Sequence, residues 1–210
     1  VPSEGGTARQ LTEGRFNFAS YRGGQTVWSK DSKYIYVSTN LEDDWEAEGY
    51  RQSDIYQVNA NDGKMDKLTD RDGPDGNPTP SPDGKSLAYT GFDNKKMATQ
   101  ISHMYVMNLK TRKIREIKTK LDRGVSNISW SGDSKSIIFN YADKGNTKLA
   151  QTTLKGKNNI LTNNLGRSYS LTTDGRFVFI TTRPDLPSDL AVGKIGSGQT
   201  TIITSINSDL

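Results

Sequence analysis

Residues 130–139 read Trp130-Ser131-Gly132-Asp133-Ser134-Lys135-Ser136-Ile137-Ile138-Phe139. The same pattern stands at Trp28-Ser29-Lys30-Asp31-Ser32-Lys33-Tyr34-Ile35-Tyr36-Val37, at Pro80-Ser81-Pro82-Asp83-Gly84-Lys85-Ser86-Leu87-Ala88-Tyr89 and at Thr172-Thr173-Asp174-Gly175-Arg176-Phe177-Val178-Phe179. An Asp bonds its own backbone, and Gly, where it follows, tolerates positive φ, so Asp-Gly or Asp-Ser before Lys or Arg encodes a tight turn. The alternating residues that follow encode a strand.

A second hairpin follows each of these segments: residues 54–58, a turn at Asn61-Asp62-Gly63-Lys64, then 66–69. It recurs as 104–107 with 114–117, 149–154 with 160–162, and 190–195 with 201–204. Two hairpins per period of about 40 to 50 residues make a four-stranded blade, and blades must stack around an axis to bury both faces. The spacing therefore predicts an all-β protein, a β-propeller of about four blades over residues 26–69, 78–118, 127–162 and 169–204. Arg9-Gln10-Leu11-Thr12 matches the blade-closing Lys67-Leu68-Thr69. Residues 1–12 thus read as the outer strand of a preceding blade, and the whole of 1–210 as one domain, part of a larger ring of about seven blades.

Composition agrees: 32% of residues are hydrophobic, Gly numbers 20, and the apolar residues fall in short alternating runs. No run of about 18 apolar residues is present, so no membrane insertion is expected. Residues 1–6 lack the basic and apolar regions of a signal peptide, so the chain reads as starting in mid-protein. The absence of Cys excludes disulfides and thiolate metal sites. The net charge of +4 comes from 28 cations spread among 24 acids, which is not a nucleic-acid footprint. The most basic run, residues 109–120, suits an outer strand guarded against edge-to-edge pairing.

The Trp-Ser-Pro-Asp-Gly-Lys type of repeat, with the joining stretches 4–12, 68–75, 81–85 and 204–210, resembles the repeat of TolB and of the propellers of the prolyl oligopeptidase family, in its bacterial dipeptidyl-peptidase and acylaminoacyl-peptidase branch. Thr79-Pro80 and Leu171-Thr172 stand where other repeats carry Trp. The resemblance implies a propeller that gates and docks peptide substrates for a C-terminal α/β-hydrolase domain bearing a Ser-Asp-His triad, in a periplasmic or secreted serine exopeptidase. The alternatives are a TolB-like interaction propeller without an enzyme and the propeller of a carbohydrate-active enzyme.

No catalytic centre is expected in the chain itself. Ser86 lies in the repeated hairpin rather than at a strand-turn-helix elbow. His103, the sole histidine, begins a blade strand. The turn aspartates belong to different blades and cannot converge on one metal ion, so neither metal nor cofactor is expected. Binding groups concentrate on long links carried by a rigid scaffold. The links expected to be long are 39–53, 70–78, 91–102, 119–126, 140–147 and 163–168, all on one face, which should meet the hydrolase domain or partner. Within them Glu46 and Glu48, in an acidic insertion, are candidates to hold a peptide ammonium, followed by Arg71 and Asp72.

Overall fold

A computed structural model describes residues 5–13, 26–41, 52–183 and 186–206. Among them there is no helix. Sixteen strands form four antiparallel sheets, each in chain order. Blade one holds β1 (Val27–Trp28), β2 (Tyr34–Thr39), β3 (Asp54–Asn59) and β4 (Met65–Lys67). Blade two holds β5 (Asp75–Pro80), β6 (Ser86–Gly91), β7 (His103–Asn108) and β8 (Ile114–Glu116). Blade three holds β9 (Ser126–Trp130), β10 (Ser136–Asp143), β11 (Asn146–Thr153) and β12 (Asn158–Thr162). Blade four holds β13 (Leu165–Leu171), β14 (Arg176–Arg183), β15 (Leu186–Lys194) and β16 (Thr200–Ile202).

The repeated turn is built as its residues dictate. In each inner hairpin a hydroxyl donates to the turn aspartate: Ser29 to Asp31 at 2.7 Å, Ser81 to Asp83 at 2.5 Å, Ser131 to Asp133 at 2.6 Å, and Thr172 to Asp174. The amides of Lys33, Lys85 and Lys135 donate to the same carboxylates. These bonds, the hydroxyl first, hold all four carboxyls below their ordinary range. The residue after the Asp has φ of 57° at Ser32, 70° at Gly84, 59° at Ser134 and 81° at Gly175. Glycine adopts that conformation without strain and serine does not. Ser32→Gly should therefore raise unfolding stability by about 0.5–1 kcal/mol; an unchanged or lowered denaturation midpoint would show the turn to be unstrained.

Alternation along the strands assigns each blade two apolar faces. Leu87 and Tyr89 of β6 pack with Tyr36, Ile55 and Leu68 of blade one, while Ala88 joins Trp130, Ile137 and Phe139 of blade three. One residue out of step, Ile138 turns with Leu149 toward Leu165, Phe177 and Phe179 of blade four. The core is thus three layers sandwiched between consecutive blades, with a fourth cluster, Val37, Tyr56 and Val58, on the other face of blade one. The inner turns also touch in series: a Cβ on Gly84 would lie 3.2 Å from Lys30 Cβ, the Asp83 amide donates to Ser134 Oγ at 3.1 Å, and a Cβ on Gly132 would lie 2.1 Å from the Thr173 carbonyl oxygen.

Several expectations need correction. Trp130 is 6% exposed and its Nε1 donates to Thr79 O of the preceding blade at 2.9 Å, as a stacking tryptophan should. Trp28, expected to be at least partly buried, is instead 55% exposed: its neighbour Val27 packs toward blade two, and among the described residues no blade precedes blade one to cover the other face of β1. The link expected at 140–147 is a two-residue hairpin. Lys144 and Gly145 both take positive φ, 50° and 81°, the conformation that lets β10 and β11 run on to Asp143 and Asn146. The links at 70–78 and 163–168 are shorter than expected, since β5 begins at Asp75 and β13 at Leu165. Irregular pairing between Gly76 and Thr79, and between Leu165 and Tyr169, breaks the alternation by which strands are read.

Residues 5–13 carry no strand, yet they lie along blade one. Arg9 donates to Ala60 O at 3.1 Å and to Asn61 O at 2.9 Å, and a Cβ on Gly63 would meet Leu11 O. The outer strand of blade two treats blade three alike, with Arg115 donating to Leu154 O at 3.2 Å and Gly156 lying under Lys118 O.

Candidate functional site

The link 70–74 joins blade one to blade two and is clamped by Gln52. Gln52 Nε2 donates to Arg71 O at 3.0 Å, and its Oε1 accepts the Gly73 amide at 2.7 Å. Gly73 has φ of 137° and crosses the Phe92 carbonyl so closely that no side chain fits. The clamp sends Arg71 inward. Its Nη2 lies 2.6 Å from Asp75 Oδ1, its Nη1 3.6 Å from Asp93 Oδ1, and its guanidinium carbon 3.8 Å from the Tyr105 ring centroid. Tyr89, directly opposite Tyr105 in the sheet, stacks on it with centroids 5.3 Å apart. Gly91 leaves room for the pair, since a Cβ there would lie 2.2 Å from Asp75 Oδ1.

Asp75 is 1% exposed. Burial pushes its carboxyl up to about 7, although Arg71 pulls in the opposite direction. Burial, the largest single influence, would lower Arg71, but Asp75, Tyr105 and Tyr89 together outweigh it and hold the guanidinium above its ordinary value. Asp75 also ties the blades together: its carbonyl accepts Ser38 Oγ at 2.6 Å and Ser53 Oγ at 3.0 Å, and its amide donates to Ser53 O at 2.7 Å. Nearby Asp54, buried and likewise raised by its burial, meets Lys67 Nζ at 2.8 Å and accepts Thr69 Oγ1 at 3.1 Å.

Tyr105 and Asp93 also line a cavity of about 400 Å³ under the 92–102 link, floored by Phe92, Met97 and Ile101. His103 and Glu116, 3.2 Å apart, stand at its edge. An apolar floor with carboxylates and an imidazole at the lip accepts an apolar or aromatic side chain and orients its polar neighbours.

Of the residues singled out from sequence, Arg71 packs against Tyr105 and Asp93 of the cavity wall but does not itself line the cavity. Asp72 is not part of it either: its carboxylate is exposed, and its backbone oxygen accepts the Asn94 amide at 2.8 Å. Glu46 and Glu48 lie outside the described residues. Ser86 and His103 sit at opposite ends of the β6–β7 pair, Ser86 facing Asn108 and His103 facing Gly91. Five residues of strand, about 17 Å, separate them, so they form no nucleophile-base couple.

A second cavity, of about 260 Å³, was missed in the sequence. Its lining comes from the inner strands of three blades: Asn77 and Thr79, Asn127 and Ser129, Ser168 and Tyr169. Among the described residues no charged side chain lines it. Asn77, Asn127 and Ser168 each stand six residues before their turn aspartate, at 83, 133 and 174, so the repeat itself carried the signal. Asn77 and Asn127 hold φ of 54° and 48°, strained values for non-glycine residues.

No protein-family model matches the chain. Over 129 residues, 61% of its length, the chain is 30% identical to dipeptidyl-peptidase 5 of Porphyromonas gingivalis, of which it covers 19%; it thus spans about a fifth of that curated relative. Among solved structures it is similar to TolB from Acinetobacter baumannii, with a TM-score of 0.62, 23% identity, and coverage of 85% of this chain and 42% of that one. It is also similar to puromycin hydrolase, with a TM-score of 0.67, 13% identity, and coverage of 94% and 33%. Four sheets in chain order, stacked face to face, and these likenesses bear out the fold read from the repeats: the chain is a run of β-propeller blades, with the fold of TolB and of puromycin hydrolase and a sequence likeness to a dipeptidyl-peptidase.

Proposed function

We propose that the chain is the propeller portion of a serine exopeptidase of the prolyl oligopeptidase family, which gates and docks peptides for a C-terminal α/β-hydrolase domain in the periplasm or outside the cell. The observation that carries this reading is the 30% identity to a dipeptidyl-peptidase, confined to a fifth of that protein's length. The cavity under the 92–102 link supports it, because it opens on the face of the β2–β3 type links, where peptide or hydrolase would meet the propeller. On this reading residues 5–13 take the place of the outer strand of a preceding blade in a larger ring, the arrangement Arg9 shares with Arg115. Blade limits near 26–69, 78–118, 127–162 and 169–204 and a single domain over 1–210 belong to the same proposal.

Glu46 and Glu48 anchor the peptide ammonium by charge-assisted hydrogen bonds, and Arg71 and Asp72 contribute to the same face. In the full-length enzyme, Glu46→Gln with Glu48→Gln should lower kcat/KM on free peptides about 10- to 100-fold and leave N-blocked peptides unaffected. Equal losses on both substrates, or none, would refute the ammonium anchor. A TolB-like interaction propeller is the competing reading, favoured by the TolB fold match. A reading frame that continues about 250 residues past Leu210 with a Gly-x-Ser-x-Gly elbow selects the enzyme, and a stop near Leu210 selects the binder.

A further inference from the structure

The basic run 109–120, which spans the β7–β8 turn and β8, does not stand alone. The outer edge of blade two packs on the outer turn of blade three: Gly156 lies under Lys118 O, Asn158 Nδ2 donates to Thr119 O at 2.6 Å, and Arg115 donates to Leu154 O. Arg115 thus reaches the β11–β12 turn that carries Lys155 and Lys157, while Lys110, Arg112 and Lys113 stand in or beside the equivalent β7–β8 turn of the preceding blade. All six are exposed, and none forms an ion pair with a described residue. Of the six only Arg115 lies on the three-residue strand β8, so guarding that edge does not account for the other five, in a chain whose net charge is +4. The outer strands also expose Ile114 (43%) and Ile160 (46%).

We propose that this convex rim of blades two and three is a docking surface for an anionic lipid bilayer, with the lysines and arginines on headgroup phosphates and Ile114 and Ile160 at the headgroup boundary. The chemistry favours lipid over nucleic acid. No aromatic residue stands in 108–118 or 153–162 to stack on bases, whereas exposed isoleucines among cations suit the interface of a membrane. Charges on one rim act together within a Debye length of about 8 Å, and each cation at an anionic surface strengthens adsorption about fivefold.

The test is co-sedimentation of the protein with phosphatidylcholine vesicles containing about 30% phosphatidylglycerol, against phosphatidylcholine alone, at about 50 mM and about 500 mM salt. Binding is expected to the anionic vesicles at low salt only. Combining Lys110→Glu, Arg112→Glu, Lys155→Glu and Lys157→Glu should weaken it at least about 100-fold with an unchanged unfolding midpoint. Glutamine at the same positions serves if the reversed variant does not fold. Ile114→Ser with Ile160→Ser, all charges kept, should weaken binding about tenfold. No binding by the unaltered protein, or equal binding by the charge variant, overturns the proposal. So does tighter binding to duplex DNA or polyglutamate than to the vesicles, or release by about 10 mM inorganic phosphate at constant ionic strength, which would mark a discrete phosphate site.

Discussion

Arg71→Ala should destabilise the protein by an amount that grows with pH, small at about pH 5 and reaching about 3 kcal/mol or more near pH 9. The sign follows from Asp75. Burial raises its folded carboxyl from 3.8 to about 7, so the folded state holds the proton more tightly than the unfolded chain. The stability this group contributes is fully present below about pH 4 and is lost as pH rises toward about 7, up to about 4 kcal/mol by linkage. In the unaltered protein the decline stops there, because Arg71, 2.6 Å away, receives the carboxylate once it ionises.

Without Arg71 the folded carboxyl rises further and the decline continues above pH 7, about 1.4 kcal/mol for each pH unit. Below pH 6 the variant loses mainly the contact of the guanidinium with Tyr105, about 1 kcal/mol. Urea unfolding of both proteins at about pH 5, 7 and 9, with Asp75→Asn as the variant that cannot titrate, reads the difference. A gap between Arg71→Ala and the unaltered protein that is the same at every pH would mean that Asp75 is ionised throughout, contrary to its raised carboxyl.

Gly132→Ala should cost about 2–4 kcal/mol, although it adds one methyl group to a surface turn. The new Cβ would stand 2.1 Å from the Thr173 carbonyl oxygen and 2.9 Å from its carbon, and backbone cannot swing aside as a side chain does. The turns of blades three and four must part, and the layer of Ile138, Phe177 and Phe179 opens with them. Gly145→Ala is the matched control: it has φ of 81° and nothing within 4 Å, so only backbone strain is added, about 1 kcal/mol. Equal losses at the two positions would show that the inner turns do not bear on one another.

The architecture was legible because its determinants are local and repeated. A hydroxyl, an Asp and a residue of positive φ at fixed offsets make a turn whatever surrounds it, and two-faced apolar strands such as 137–141 need a blade on each side. What escaped depended on partners far apart in sequence. The irregular pairing at Asn77 places a polar side chain against alternation, so the start of β5 was misplaced and the three-blade cavity went unseen. Trp28 opens the same Trp-Ser-x-Asp-Ser-Lys pattern as Trp130 but lacks the blade that buries it. Arg71 was chosen for its link, but its place over Tyr105 depends on Gln52, nineteen residues earlier, and on Asp75.

The two apolar faces of each sheet bear on how such a molecule can change size. Blade two meets blades one and three through similar surfaces, and blade three repeats the arrangement toward blade four. A duplicated blade inserted between any two of them would find compatible surfaces on either side and add one layer of its own. The number of blades is therefore open to revision by duplication of a stretch of 40 to 50 codons, about the repeat length of a propeller. Individual blades would then diverge in their links, as the two-residue turn at Lys144-Gly145 and the link at 92–102 already do, while the stacking surfaces stay alike.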